Sequence, residues 1–445
     1  MRVLQVTAGY LPEAIGGVEL HLAGLVAELQ HDHEVLVMCR GADSARPEFE
    51  LDEYVHNGIR VVRLNYCFGD ARSFRSLVEN PSIRRRFEEV AEKFAPDLVH
   101  VHHFTCLTTE IADACTDHGI PLVISMHDYW LGCPRGQRLT SALSPCPRIE
   151  RERCLRCYTD TWPQWFQGPQ WFQGPQGPQL PGAPTPVPPP GSEDAFAVYH
   201  DRIHRTLAQA RVLITPSSFA AELYAEYGVE RSKIRVVPYG IDHRRYTART
   251  PRSGRARCFA FIGTVIPSKG VHVLIDAFRR LDDRELRLEI HGPELPYHND
   301  PHYGERMRRM ARGLEGRVTF HGRYENAALT GILAKVDAVV VPSIWFETWG
   351  IVLREAFLAE VPVIASDFGA LREAIEPEVT GLLFRRGDAE DLARQMRRLA
   401  DDPALVYRLA VSPKVVPTVQ ENARGVLAAY ELSRTAGAKV GLQPS

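Results

Sequence analysis

The chain is short of net charge. Its 445 residues carry 53 Lys and Arg against 55 Asp and Glu, a formal charge of -2. Without a basic excess there is no electrostatic case for nucleic acid as the main partner. It also lacks any run of about 18 apolar residues. Met1-Arg2 leads into the strand-like Val3 to Thr7 without the apolar core of a signal peptide, so a soluble cytoplasmic protein is the expectation. No Asp-x-Asp triplet occurs anywhere, which removes the usual carboxylate device for a divalent metal. Gly16-Gly17 stands before the first long helix but does not fit the Gly-x-Gly-x-x-Gly fingerprint, and no acidic ribose reader follows at the expected distance. Nine cysteines, an odd number without a secretion signal, do not suggest a disulfide framework.

What is present is alternation. At this length two domains of roughly 200 residues are expected. The first half reads as strands at Val3 to Thr7, Glu34 to Met38, Ile59 to Leu64, Leu98 to His102, Leu122 to Met126, Val212 to Thr215 and Ile234 to Val237. A helix over Val18 to Leu29 separates the first two, and the alternation implies a parallel sheet covered on both faces. The second half repeats the plan with strands at Cys258 to Ile262, Leu286 to His291, Val318 to His321, Ala338 to Val341 and Val361 to Ala365. A last helix is expected over Thr418 to Leu432. The pattern breaks from Trp162 to Gly191, where Trp-Phe-Gln-Gly-Pro-Gln occurs twice and 10 of the 31 residues from Thr161 to Gly191 are proline. Proline removes backbone donors and favours extended chain, so this stretch reads as a disordered insertion. Its aromatics Trp165, Phe166, Trp171 and Phe172 offer an alternative role, docking on a partner or a lipid surface.

The most informative segment is Pro342 to Ala356, which holds Glu347 and Glu355 eight positions apart. Ala338 to Val341 reads as a buried parallel strand, Pro342-Ser343 end it, and a helix opens near Gly350. One carboxylate then lies in the loop at the strand's carboxyl end. The other lies on the second turn of the helix, about 12 Å farther along at about 1.5 Å per residue. An open α/β sheet binds its ligand at such a place, and free N–H groups at the helix start suit a diphosphate.

This run, with Gly263, Lys269 and Gly270 upstream, resembles the Glu-x7-Glu signature of the family-four retaining glycosyltransferases, and the likeness extends over nearly the whole chain apart from the insertion. The resemblance implies an α/β GT-B fold of two doubly wound Rossmann-like domains facing a cleft. Residues 1–245 would form the acceptor-side domain, 246–412 the donor domain, and 413–435 a helix crossing back to the first domain. It implies a metal-independent enzyme with no catalytic cofactor, which moves a sugar from a nucleoside-diphosphate sugar to an unidentified acceptor. The absent Asp-x-Asp triplet agrees with that class.

Carried onto this sequence, the donor residues are Gly16, Gly17, Gly263, Thr264, Lys269, Thr348, Trp349, Gly350, Ile351 and Glu355, with Glu347, His127 and Lys269 in catalytic positions. Glu355 would hold the ribose diol, Glu347 reach the sugar, and Lys269 supply a point charge to the phosphates. His127 would face the cleft from the acceptor side, to orient an acceptor hydroxyl or touch the donor sugar, while His102 and His103 read as histidines satisfied within the fold. With no evident nucleophile and base, a front-face mechanism follows from the resemblance, the leaving phosphate taking the acceptor proton. Many relatives carry arginine five residues before the lysine. Here the position is Thr264, and Arg372 and Arg323 are the candidate replacements.

Cys133, Cys146, Cys154 and Cys157 fall within 25 residues. Four soft ligands can hold one structural zinc, and some relatives carry a similar set, but free thiols or redox pairs are the competing reading. Arg84-Arg85-Arg86 reads as a solvated helix face, with weak contact to anionic lipid as the alternative. Two other functions remain open: a trehalose-synthase-like sugar phosphorylase or sugar-nucleotide epimerase, and a non-catalytic scaffold or binding protein keeping the same fold.

Overall fold

The computed structural model describes residues 1–14, 16–166, 194–246, 255–298, 300–411 and 415–438. Two sheets organise it. The first holds β1 (Arg2–Thr7), β2 (Glu34–Gly41), β3 (Leu51–His56), β4 (Ile59–Asn65), β5 (Leu98–Val101), β6 (Leu122–Ser125), β7 (Val212–Thr215) and β8 (Ile234–Val236), in the order β3-β4-β2-β1-β5-β6-β7-β8. All pairs are parallel except β3 with β4. The second holds β9 (Cys258–Ile262), β10 (Arg287–His291), β11 (Val318–Gly322), β12 (Ala338–Val341), β13 (Val363–Ser366) and β14 (Leu382–Phe384), all parallel, in the order β11-β10-β9-β12-β13-β14. Central strands such as β1 and β13 are buried almost throughout, as a sheet covered on both faces requires.

The order reverses between β1 and β5 in one sheet and between β9 and β12 in the other. Ligands of open α/β sheets bind outside the strand ends at such a reversal. The loops there carry Gly16-Gly17 after β1, His102 after β5, Gly263-Thr264 after β9 and Pro342 to Gly350 after β12.

The chain passes between domains twice, side by side. Ile241 donates its N–H to the Pro417 carbonyl at 2.9 Å, and Asn422 Nδ2 donates to the Pro238 carbonyl at 2.7 Å. A Cβ on Gly240 would collide with the Thr418 backbone, so this crossing needs glycine. The helix Val419–Ala438 then packs Val426, Ala429 and Tyr430 against Leu22, Leu25, Val123 and Ile214 of the first domain. A second junction lies at Glu373, whose carboxylate accepts from the N–H groups of Ser218 and Phe219 at the start of the helix Ser218–Glu226.

Several expectations need correction. β3 was not anticipated, although Asn57-Gly58, both residues at positive φ (50° and 82°), forms the two-residue turn that joins it to β4. Leu51–His56 is a half-exposed edge strand and lacks the apolar run that marked the others. Trp162 to Phe166 are not part of a disordered insertion. Trp162, Trp165 and Phe166 pack on Phe74, with ring centroids 5.6, 6.3 and 5.4 Å from it. Aromatic burial here overrides proline-rich composition. The remainder of the insertion, with Trp171 and Phe172, lies outside the described residues. Cys154 and Cys157 lie on a regular helix, Arg151–Thr161. Arg84, Arg85 and Arg86 are paired with Glu88, Asp117 and Glu89 on or beside the helix Pro81–Phe94, which neutralises that basic run. Among the described residues no helix is long and apolar enough to cross a membrane.

Candidate functional site

A cleft of about 400 Å³ opens between the two sheets. One wall is the β12 loop and the start of the helix Ile351–Leu358, with Glu347, Thr348, Trp349, Gly350, Ile351 and Glu355 among its lining residues. Gly350 takes the left-handed conformation (φ 75°, ψ 66°) that turns the loop into the helix. Glu347 is 5% exposed. It accepts from Lys269 Nζ at 2.7 Å and from Ser343 Oγ at 2.6 Å, both on Oε1. Lys269 sits on a one-turn helix, Pro267–Lys269, ahead of the helix Val271–Arg279. Gly270 (φ 73°) makes that possible, because a Cβ there would collide with the Pro342 carbonyl oxygen. The lysine thereby reaches the β12 loop, with Nζ 5.2 Å from the centroid of the Trp345 ring.

Glu355 is likewise buried in the wall, at 7% exposed. Tyr246 Oη donates to its Oε1 at 2.8 Å. Burial pushes its carboxyl above the ordinary range, and the Tyr246 hydrogen bond draws it back. A buried carboxylate with one oxygen engaged has acceptor capacity left on the other.

The opposite wall carries Gly16, Gly17 and Val18 at the start of the helix Gly17–Leu29, together with His127 and Tyr239. Any Cβ on Gly17 would press on Ile351 of the facing domain, 2.9 Å away. The His127 carbonyl accepts from Thr348 Oγ1 at 2.8 Å, a hydrogen bond across the cleft. The His127 ring is engaged at both nitrogens: Nδ1 with the Tyr239 hydroxyl and Nε2 with His102 Nδ1 at 2.8 Å. Behind it, His102 Nε2 meets Gln5 Oε1 at 2.8 Å, Gln5 Nε2 donates to Tyr430 Oη at 3.0 Å, and Tyr430 Oη meets His100 Nδ1 at 2.8 Å. Since Gln5 Oε1 only accepts, His102 is protonated on Nε2, and its bare Nδ1 takes the Nε2–H of His127. His127 Nδ1 is then the acceptor of the Tyr239 proton. Burial and neighbouring histidines hold the pKa values of His102 and His127 well below 6.5, so the chain stays neutral.

The structure thus brings Gly16, Gly17, His127, Gly263, Thr264, Lys269, Glu347, Thr348, Trp349, Gly350, Ile351 and Glu355 together around one cleft. Of the two arginines proposed to replace the one missing at Thr264, Arg323 lines the cleft. Arg372 pairs with Asp367 at 3.1 Å and is not among the lining residues. The thiols of Cys133, Cys146, Cys154 and Cys157 are neighbours that raise one another's pKa, but no three of them lie mutually within 4.8 Å. The Cys146 thiol donates to the Arg148 carbonyl at 3.0 Å instead, and burial pushes Cys133 up to about 11 and Cys154 up to about 12.

Sequence reading missed Ser343, Tyr246 and the partners of His127. Ser343 was in view as a strand terminator, four residues before Glu347 and hence within reach of it. Tyr246 stands 109 residues from Glu355, and Tyr430 stands 330 from His100, so no local spacing announces either.

Residues 243–411 match the family described as Glycosyl transferases group 1, residues 16–158 the Glycosyl transferase 4-like domain, and residues 184–245 Glycosyltransferase Family 4. The chain is 26% identical over 430 residues to a glycogen synthase of Mycobacterium tuberculosis (strain H37Rv), covering 92% of this chain and 88% of that one. It is 31% identical over 251 residues to a D-inositol 3-phosphate glycosyltransferase of Nocardia farcinica, covering 52% of this chain and 55% of that one. Among solved structures, sucrose-phosphate synthase of Thermosynechococcus elongatus superposes with a TM-score of 0.66 at 19% identity, covering 98% of both chains. HepE of Anabaena in complex with UDP-glucose gives 0.61 at 18% identity, covering 98% of this chain and 100% of that one. At such identities the structural likeness establishes the fold.

Proposed function

Since the chain belongs to the group 1, family-four glycosyltransferases and has their GT-B fold, we propose that it transfers a sugar from a nucleoside-diphosphate sugar with retention of configuration. The reaction needs no metal in the cleft. The observation that carries this reading is the placement of two buried carboxylates, Glu347 and Glu355, with Lys269 on one wall of a cleft whose other wall is a glycine-rich helix start. The free N–H groups of that helix start suit a diphosphate. HepE, crystallised with UDP-glucose, has the same fold and supports the donor class.

In this mechanism the donor's ribose hydroxyls take the free acceptor capacity of Glu355, and the diphosphate lies between Lys269 and the Gly16-Gly17 helix start. The Lys269–Glu347 pair is the resting arrangement. As the diphosphate arrives, the lysine exchanges a carboxylate for phosphate oxygens, and Glu347 turns to the sugar ring, where positive charge develops. Thr264 contributes a hydroxyl to the phosphates, and Arg323 supplies the second cation that a threonine cannot. His127 faces the sugar or acceptor hydroxyl once Tyr239 releases its Nδ1. The leaving phosphate takes the acceptor proton.

A thermal-shift panel of nucleoside diphosphates and their sugars tests the donor. A ligand at about 100 times its dissociation constant adds about 2.7 kcal/mol of stability. A panel in which no nucleotide shifts the transition would overturn the donor site. Proton NMR of the first product tests retention, the opposite anomer being the outcome that refutes it. Donor hydrolysis without acceptor separates an enzyme from a non-catalytic scaffold, and incubation with phosphate and a disaccharide separates a transferase from a phosphorylase.

A further inference from the structure

Outside the cleft, the carboxyl ends of β10 and β11 carry a second constellation. Glu289 and His291, two positions apart on β10, project from the same face of the sheet, opposite to the buried Leu288 and Ile290. The β10–β11 register shifts between Ile290 and His291, so His291 pairs with Gly322 and His321 is left as the extra residue beside it. The rings of His291 and His321 stack with centroids 4.2 Å apart and planes 3° from parallel. His321 Nε2 contacts the Glu289 carboxylate. One ligand atom from each of the three side chains lies within 4.8 Å of the other two, the only such trio of His, Cys, Asp or Glu among the described residues.

Two imidazoles face to face are a poor hydrogen-bonding arrangement. His291 is half-buried, and no hydrogen bond to its ring is present among the described residues. An imidazole nitrogen donates its lone pair in the ring plane, so one ion shared by both rings needs the exposed His321 ring to turn out of the stack with His291. We infer that Glu289, His291 and His321 bind one divalent transition-metal ion of the zinc class. Two nitrogens and a carboxylate oxygen suit zinc, cobalt, nickel or copper, whereas calcium and magnesium take oxygen ligands. Three protein ligands leave the fourth tetrahedral position to water, and the 41% exposure of His321 leaves the trio open to solvent.

None of the three residues lines the cleft, so the ion is a clip between strands and takes no part in sugar transfer. It sits one residue from structures that frame the cleft. Gly263 donates its N–H to the His291 carbonyl at 2.9 Å, and Gly292 donates to the Gly322 carbonyl at 2.8 Å. Pinning His291 to His321 therefore holds Pro293 and Arg323, which follow them by two residues and line the cleft, at a set separation.

The test is titration of the full chain, stripped with a chelator, with zinc by calorimetry and with cobalt by absorption. Wild type, His321→Ala, Glu289→Gln and Cys154→Ser/Cys157→Ser are compared after circular dichroism confirms folding. The expected result is one equivalent bound by wild type, a cobalt spectrum without thiolate charge transfer, and loss of affinity by about tenfold or more in His321→Ala and in Glu289→Gln. Zinc should raise the melting temperature of wild type and the cysteine variant, and leave that of His321→Ala unchanged. Failure of folded wild type to bind, unchanged affinity in both His321→Ala and Glu289→Gln, or loss confined to the cysteine variant would each overturn the assignment.

Discussion

The two walls of the cleft are built in opposite ways. On the second domain, both carboxylates lie in one continuous run from Ser343 to Glu355, and among the described residues Lys269 and Tyr246 are the only distant side chains that bond them. On the first, the wall residues His127 and Tyr239 are backed by a hydrogen-bonded chain through His102, Gln5 and Tyr430, each from a different element or loop. The first kind of wall presents ionised groups to a charged ligand. The second holds neutral rings in set tautomers, and its last member belongs to the helix that returns from the other domain. Under the proposed function, the charged side chains on one side meet the donor, while the neutral rings on the other meet an uncharged hydroxyl.

The sharpest way to break this comparison is at Glu347. Glu347→Gln should lower turnover by on the order of a hundredfold, about 3 kcal/mol, because the charge lost faces the site where positive charge develops. A rise in KM with turnover intact would mean that the carboxylate serves binding alone. Glu355→Ala should instead weaken donor binding by about 1.5 to 3 kcal/mol, measured by calorimetry with the nucleoside diphosphate, since its hydroxyl partners lose a charged acceptor. Unchanged affinity in a folded variant would remove Glu355 from the donor site.

On the neutral wall, His102→Ala should cost about 1 to 3 kcal/mol in denaturant unfolding, by leaving His127 Nε2–H and Gln5 Oε1 buried without partners. Donor affinity should hold within about twofold, that is, about 0.4 kcal/mol. A large loss of donor affinity would show that the two walls are coupled more tightly than their hydrogen bonds suggest.

Acid should separate the walls as well. Burial lowers His21 and His100 from 6.5 to about 3 and His103 to about 4, so each takes up its proton more readily in the unfolded chain. Between pH 6.5 and 4 the unfolded state therefore binds more protons, and stability falls as pH falls through that window. Each such histidine contributes a slope of up to about 1.4 kcal/mol per pH unit. Urea midpoints measured from pH 7 to 4.5 should drop steeply, and His100→Gln should flatten the curve. The smallest effect concerns the aromatic cluster beside the insertion. Trp165→Ala should lower stability by about 1 kcal/mol, since its ring is only half-buried against Phe74 and Trp162. No change would return Trp165 to the insertion that its composition suggested.

Legibility followed the range of the contacts. Alternation of apolar runs with helical segments identified nearly every central strand, because a parallel strand buried on both faces has to be apolar along its length. The edge strand Leu51–His56 escaped for the same reason: half of it faces water, and only its Asn57-Gly58 turn announced it. The β12 loop was legible because a strand end, a helix start and two carboxylates are joined by a few residues of chain. Nothing comparable marks Tyr246 or Tyr430, and proline-rich composition concealed Trp162 to Phe166, which a ring on a distant turn, Phe74, holds in the fold.

By itself the sequence determined the two-sheet plan, the family likeness and the carboxylate spacing of the second domain, all of which rest on local periodicity or on chain too short to wander. Tertiary structure alone decided that Lys269 rests on Glu347, that Arg323 and not Arg372 lines the cleft, and that His127 is held at both nitrogens. It also decided that two histidines and a glutamate meet at the ends of β10 and β11 while the four cysteines form no such set. Each of these depends on how separate strands and loops are brought side by side. Sheet order and a single register shift set those distances, and a linear pattern of residue types does not encode them.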